Sequence, residues 1–113
     1  MPSPFYKARL VEFRAQVRFW PVVIRSAANE TTATCIMTPE RLEKRMMGNN
    51  YMDVIMVTVD ALREDCVTLS LKPTPNNQRP KFKVISSGVT YEVQKIGDDS
   101  NEPTLSLSCA RVQ

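Results

Sequence analysis

Apolar and polar residues alternate through most of the last third of the chain, and this period of two predicts three consecutive β-strands. Phe82 and Val84, with Ser86 in the same phase, alternate against Lys81, Lys83 and Ile85. Val89, Tyr91 and Val93 alternate against Thr90, Glu92 and Gln94, and Leu105, Leu107 and Cys109 against Ser106, Ser108 and Ala110. Ser87-Gly88 between the first two runs is a hairpin signal, because glycine reaches the positive φ that tight turns demand. The run Gly97-Asp98-Asp99-Ser100-Asn101-Glu102-Pro103 cannot continue a strand and separates the second from the third. The region therefore reads as an antiparallel meander with one apolar and one polar face.

The start of the chain has a different period. Tyr6, Leu10, Phe13, Val17 and Trp20 recur at steps of four and three, with Lys7, Arg9, Glu12, Arg14, Gln16 and Arg18 between them. That spacing predicts a helix from Ser3 to Phe19, with Trp20 closing the segment, Ser3 as cap, Pro4 in the first turn and Pro21 as stop. Its stripe of Phe13, Val17 and Trp20 is expected to pack on the sheet, leaving Arg9, Arg14 and Arg18 to solvent.

Between helix and meander lie shorter signals. Val22 to Ile24 and Ala33 to Met37 are β-rich and flank a polar turn from Ser26 to Thr32, which predicts a second hairpin. The polar stretch Arg41 to Tyr51 reads as a loop, in which Thr38 caps a helical turn and Gly48-Asn49-Asn50 breaks it. Its charges and the adaptable pair Met46-Met47 suit a surface turn or a segment that orders on assembly. Tyr51 to Val59 (YMDVIMVTV) is the most apolar strand and is expected near the middle of the sheet. Asp60 to Asp65 reads as a connection, Cys66 to Leu71 as a strand, and Lys72 to Pro80, with three prolines, as an extended loop. The expected core includes Phe13, Val17, Val54, Val57, Val84, Tyr91, Val93 and Leu107.

At 113 residues this is one domain, residues 1–113. The fold class is α+β, mainly β: a helix over 3–20 packed on a small antiparallel β-sandwich or barrel over 22–113, with loops at 38–50 and 72–80. Composition adds exclusions. The net charge of +3 is weak and dispersed, unlike a concentrated nucleic-acid footprint. The opening MPSPFYKARL has no signal-peptide h-region and no run reaches membrane-span length, so the expected compartment is the cytoplasm of the cell that makes the protein. There is no histidine, and Cys35, Cys66 and Cys109 form no C-x-x-C pair. Most zinc sites and the histidine-based dyads drop out, and the cysteines read as small buried hydrophobes. With no phosphate loop or carboxylate constellation either, we expect no catalytic, cofactor-binding or metal-binding residues, no cofactor and no enzyme activity.

The order helix, hairpin PVVIRSAANETTATCIM, loop, strand YMDVIMVTV and meander VTYEVQKIGDDSNEPTLSLSCARV resembles the small head-tail joining proteins of tailed bacteriophages, of the stopper or head-completion type typified by phage lambda. The local match is Gly88, Tyr91, Val93 and Ile96, then the acidic Asp98-Asp99, then Leu105 and Leu107. The family's long loop between its second and third strands corresponds to Arg41 through Asn50, and the Pro-rich segment Pro73 to Pro80 departs from the family pattern. The resemblance implies a structural virion protein of the neck, made in the host cytoplasm. It would form a homo-oligomeric ring, a hexamer or dodecamer, below the portal, closing the DNA channel and meeting portal or adaptor proteins on one side and tail proteins on the other. Arg41, Lys44, Arg45, Met46, Met47, Gly48, Asn49 and Asn50 are then the expected interface for oligomer or tail docking. Arg79, Lys81 and Lys83 are expected to contact packaged double-stranded DNA or a neighbouring subunit, and no membrane is involved. The competing readings are a small OB-like nucleic-acid-binding module, and a tail terminator or neck adaptor.

Overall fold

The computed structural model describes residues 4–98 and 102–112. Helix α1 spans Pro4–Phe19, followed by β1 (Val22–Ser26), β2 (Thr32–Met37), β3 (Arg41–Met47) and β4 (Asn50–Leu62). Helix α2 (Arg63–Thr68) precedes β5 (Lys81–Val84), β6 (Thr90–Gly97) and β7 (Thr104–Arg111). The strands form one antiparallel sheet in the order β2-β1-β5-β6-β7-β4-β3, and β2 also pairs with β4. That last pairing closes six strands into a barrel and leaves β3 outside it. The α+β, mainly β class holds, with the barrel as its architecture.

Period-two patterning works because one face of each strand turns into the barrel. Phe82 and Val84, Tyr91 and Val93, and Leu105, Leu107 and Cys109 all point inward with Ile24, Cys35, Val57, Val59 and Ala61. Phe82 and Tyr91 stack with ring centroids 5.8 Å apart. The Ser87-Gly88 turn forms as expected, with Gly88 at φ 73°, and the first hairpin pairs Val22 with Cys35 through Arg25 with Thr32. Between β6 and β7 the register slips between Val93 and Lys95, so Gln94 has no partner opposite. Ser26 is the buried polar exception, and its hydroxyl donates to Leu69 O at 2.6 Å and accepts from Ala28 N.

Four expectations need correction. The stretch 38–50 is not a loop: Arg41 to Met47 pairs residue by residue with Met56 to Asn50. Gly48-Asn49 is the two-residue turn of a hairpin rather than a breaker, with Gly48 at φ 65° in the first position, where positive φ favours glycine. Only the inner half of β4 is central, since Asn50 to Ile55 pairs with β3 alone. Asp60 to Leu62 continue that strand, and Arg63–Thr68 is a helical turn where a connection and then a strand were expected. Its first turn carries Glu64 and Asp65, favourable at a helix N-terminus, and Cys66 and Leu69 fall on one buried face. Ser70 at φ 54° ends it, with Leu71 N bonding Cys66 O and Ser70 N bonding Val67 O.

The fourth correction concerns α1. The helix forms as predicted from Pro4, although its expected cap Ser3 lies outside the described residues. It does not bury the whole stripe: Phe13 is 7% exposed, Val17 half-buried, and Trp20 77% exposed. Of the expected core, Val54 is likewise half-buried. The helix lies against the outside of the barrel beside β2, where Arg9 pairs with Glu102 at 3.1 Å. The Pro-rich segment 72–80 is a loop as expected, turned back by a bridge between Thr74 and Asn77.

Candidate functional site

The hairpin of β3 and β4 begins where β2 ends. Met37 pairs with Val59, and Thr38 continues along the same side of β4 by donating its N-H to Thr58 O while its hydroxyl accepts from Thr58 N, both at 2.9 Å. Pro39 interrupts the ladder because it has no N-H to give. Glu40 then turns toward the barrel mouth, where Tyr91 Oη donates to its carboxylate at 2.6 Å and Arg111 lies 3.6 Å away. Burial, then the bond to Glu40, pushes the Tyr91 phenol up to about 12. From this anchored base the two strands run beyond the end of β7, whose last partner on β4 is Met56. The molecule is 48 Å long and only 28 by 27 Å across, and β4, 13 residues or roughly 43 Å, accounts for most of that length.

Alternation gives the ribbon two different faces. Leu42, Lys44 and Met46 share one face with Ile55, Asp53 and Tyr51, in the same phase as the barrel-lining Val57 and Val59. Inside the barrel that phase is covered; past the mouth it is not. Leu42, Met46 and Tyr51 are 65%, 63% and 69% exposed. The stripe is crossed midway by the cross-strand pair Lys44 and Asp53, so apolar residues sit on either side of one opposite-charge rung.

The other face carries Arg41, Glu43 and Arg45 and is tied to the outside of the barrel. Arg41 Nε meets Glu43 at 3.1 Å and its Nη1 donates to Thr58 Oγ1 at 3.3 Å. Arg45 lies 3.8 Å from Glu43 and donates to Gln94 Oε1 at 2.7 Å, across the intervening β4 and β7. Gln94 in turn donates to Glu92, which faces Arg79 at 3.6 Å. A polar chain thus runs from the hairpin to β5 over the outer face.

The structure places Arg41, Lys44, Arg45, Met46, Met47, Gly48, Asn49 and Asn50 together on this hairpin. Lys81 and Lys83 point outward from β5, with Arg79 just before it. They form a separate basic row beside Arg25, which is opposite Lys83 in register and paired with Glu30 at 3.3 Å. Sequence reasoning missed Gln94 and Glu92, which join the two sets, and Leu42 and Tyr51, which supply the exposed apolar area. The signal available was the Gly48-Asn49 pair, a two-residue hairpin signature with alternating residues on both sides.

A cleft of about 490 Å³ lies between α1 and the barrel, lined by Arg9, Glu12, Phe13, Asp60, Glu102 and Ser106 among others. Burial raises the Asp60 carboxyl above its ordinary range, opposed by a hydrogen bond from Ser106. In the core shared by the barrel and α2, burial pushes the Cys35, Cys66 and Cys109 thiols up to about 12, 11 and 12, so none is a ready nucleophile. No protein-family model matches the sequence, and no curated protein matches it either.

Proposed function

We propose that this chain is a structural virion protein of a tailed-phage neck, a stopper-type subunit that forms a ring below the portal, closes the DNA channel and joins head to tail. The observation that carries this reading is the β3–β4 hairpin: a long ribbon with an exposed apolar face, projecting from a closed barrel, at the position of the long loop in the family the sequence resembles. Exposed apolar stripes on a stiff projection suit contacts with other subunits. The partners are other copies of the chain in a hexamer or dodecamer, portal or adaptor proteins, and tail proteins. Arg79, Lys81 and Lys83 are exposed on the outer surface, and this reading assigns them to DNA or a neighbouring subunit. An OB-like nucleic-acid module would want several aromatics on an open strand face; Phe82 and Tyr91 are inside the barrel, and among the described strand residues Tyr51 is the single exposed aromatic.

The test is deletion of Met46 through Asn49. Arg45 and Met52 are already cross-strand partners, so the deletion leaves Asn50-Tyr51 as a new two-residue turn and keeps the register. The shortened protein should fold and melt within about 4 °C of the parent, equivalent to under roughly 1 kcal/mol. It should fail to bind filled, portal-bearing capsids or to support tail joining. Particles that still acquire tails normally would overturn the proposal.

A further inference from the structure

Among the described residues the hairpin leaves two strand edges open beyond the barrel: the far side of β3, which is bonded to β4 alone, and the far side of β4 from Asn50 to Ile55, past the end of β7. Of the two, β3 carries the alternating charges that can specify a register. A second copy that joins through β3 of both chains makes an isologous, antiparallel contact about a two-fold axis. The two-fold axis restricts the register, because the residue on the axis faces its own copy.

Three registers keep most of the strand paired. Centred on Glu43, Glu43 faces itself and Arg41 faces Arg45, so every charge-bearing pair but Leu42–Lys44 sets like charges together. Centred on Arg45, two guanidinium groups meet and Lys44 opposes Met46. Centred on Lys44, all seven residues pair: Glu43 faces Arg45 of the second copy and Leu42 faces its Met46, each twice by symmetry. Lys44 faces itself, and each Lys44 already has Asp53 as its cross-strand neighbour on the other side. The half-buried Ile55 and exposed Leu42 then line up across four strands with Met46 and Tyr51 of the second copy, with the mirror row beyond the Asp53–Lys44 rung.

We propose that the free protein pairs with a second copy of itself through β3, in the register centred on Lys44. This inference rests on the open β3 edge and its charge pattern and stands without the neck reading. Adjacent subunits of a cyclic ring meet head to tail rather than about a two-fold axis, so this pair is a form of the unassembled protein. It occupies the hairpin until ring contacts replace it.

Charge reversal on the full-length chain alone, followed by sedimentation equilibrium, tests the register. Glu43→Arg and Arg45→Glu each turn both attractive contacts of the pair into repulsive ones. Both side chains are partly exposed, at 39% and 44%, and the contacts each reversal removes within the chain are weak surface ones, so each variant should keep its circular dichroism spectrum and melt within about 4 °C of the parent. Each alone should weaken dimerisation about tenfold or more, given roughly 0.2–1 kcal/mol per cross-strand pair on either side of the reversal. Mixing the two variants should restore dimers, as opposite charges again face each other at both contacts. The double variant should dimerise like the parent. A parent protein that stays monomeric at every concentration, reversals without effect, or a mixture that stays monomeric would each overturn the proposal.

Discussion

Tyr91 shows how much one residue can connect. Its ring is core, stacked on Phe82, while its hydroxyl reaches the barrel mouth and holds Glu40 at the base of the hairpin. A tyrosine at this position both fills the barrel and fixes the direction in which the ribbon leaves. Tyr91→Phe keeps the ring and should lower stability at pH 7 by about 1.5–3 kcal/mol, the usual worth of a hydrogen bond to a charged acceptor. The pH dependence has a defined sign. The folded phenol titrates near 12 against an ordinary 10, so its contribution is complete below pH 10 and is lost as pH rises toward 12. Denaturant melts should show the parent and Tyr91→Phe converging over that window; a constant gap would mean that the phenol does not titrate with folding.

Among elements, α1 and the hairpin differ in how they are held. The hairpin has a full ladder plus the Glu40 anchor, while α1 is fastened by the Phe13 ring and the Arg9–Glu102 pair, with Phe5, Val11, Phe19 and Trp20 exposed. A peripheral helix can detach without unfolding the barrel, which caps what any substitution in its contact can cost. Phe13→Ala should therefore speed proteolysis within α1 while the main melting temperature moves by less than about 4 °C; a drop of the size seen for central core residues would show that helix and barrel unfold together. The sequence patterns foretold these elements unevenly, for physical reasons. Strands β5, β6 and β7 each have one face inside the barrel, so their alternation is strict. Strand β3 has no buried face over most of its length, so RLEKRMM shows the composition of a helix former and the ladder with β4 overrides it. Likewise the helix period was clear, but which residues of the stripe would be covered depends on where the barrel sits, and Trp20 lies past its end.

At the scale of the molecule, one core holds the barrel and α2 together. Cys35 and Cys109 on strands and Cys66 on α2 are all fully buried in it, and Asn29 and Ser26 bond the carbonyls of Thr68 and Leu69 to fasten α2 to the first hairpin. A thiol reagent should label none of the three cysteines in the native protein and all three together on unfolding. Labelling of Cys66 ahead of the other two would reveal that α2 opens as a separate unit. The burial of these residues was legible from their apolar surroundings; the joining of Arg45 to Gln94 was not, because it depends on the curl of the ribbon over strands that are distant in sequence.

The continuous run of β4 from hairpin tip to barrel floor has a mechanical consequence. Its inner half is clamped between β7 on one side and β2 on the other, while its outer half is supported by β3 alone. A load applied at Gly48-Asn49 therefore acts on a lever whose fulcrum is at Ile55 and Met56, where the support of β7 runs out. Directly behind that fulcrum the barrel is shut by two rungs, Ile36 with Asp60 and Met37 with Val59, and by the pair of Thr38–Thr58 hydrogen bonds that extends them. Torque on the ribbon is thus delivered to the narrowest seam of the wall, and a force that bends the tip far enough would spread the barrel there before it disturbed the seven-rung junction of β4 with β7.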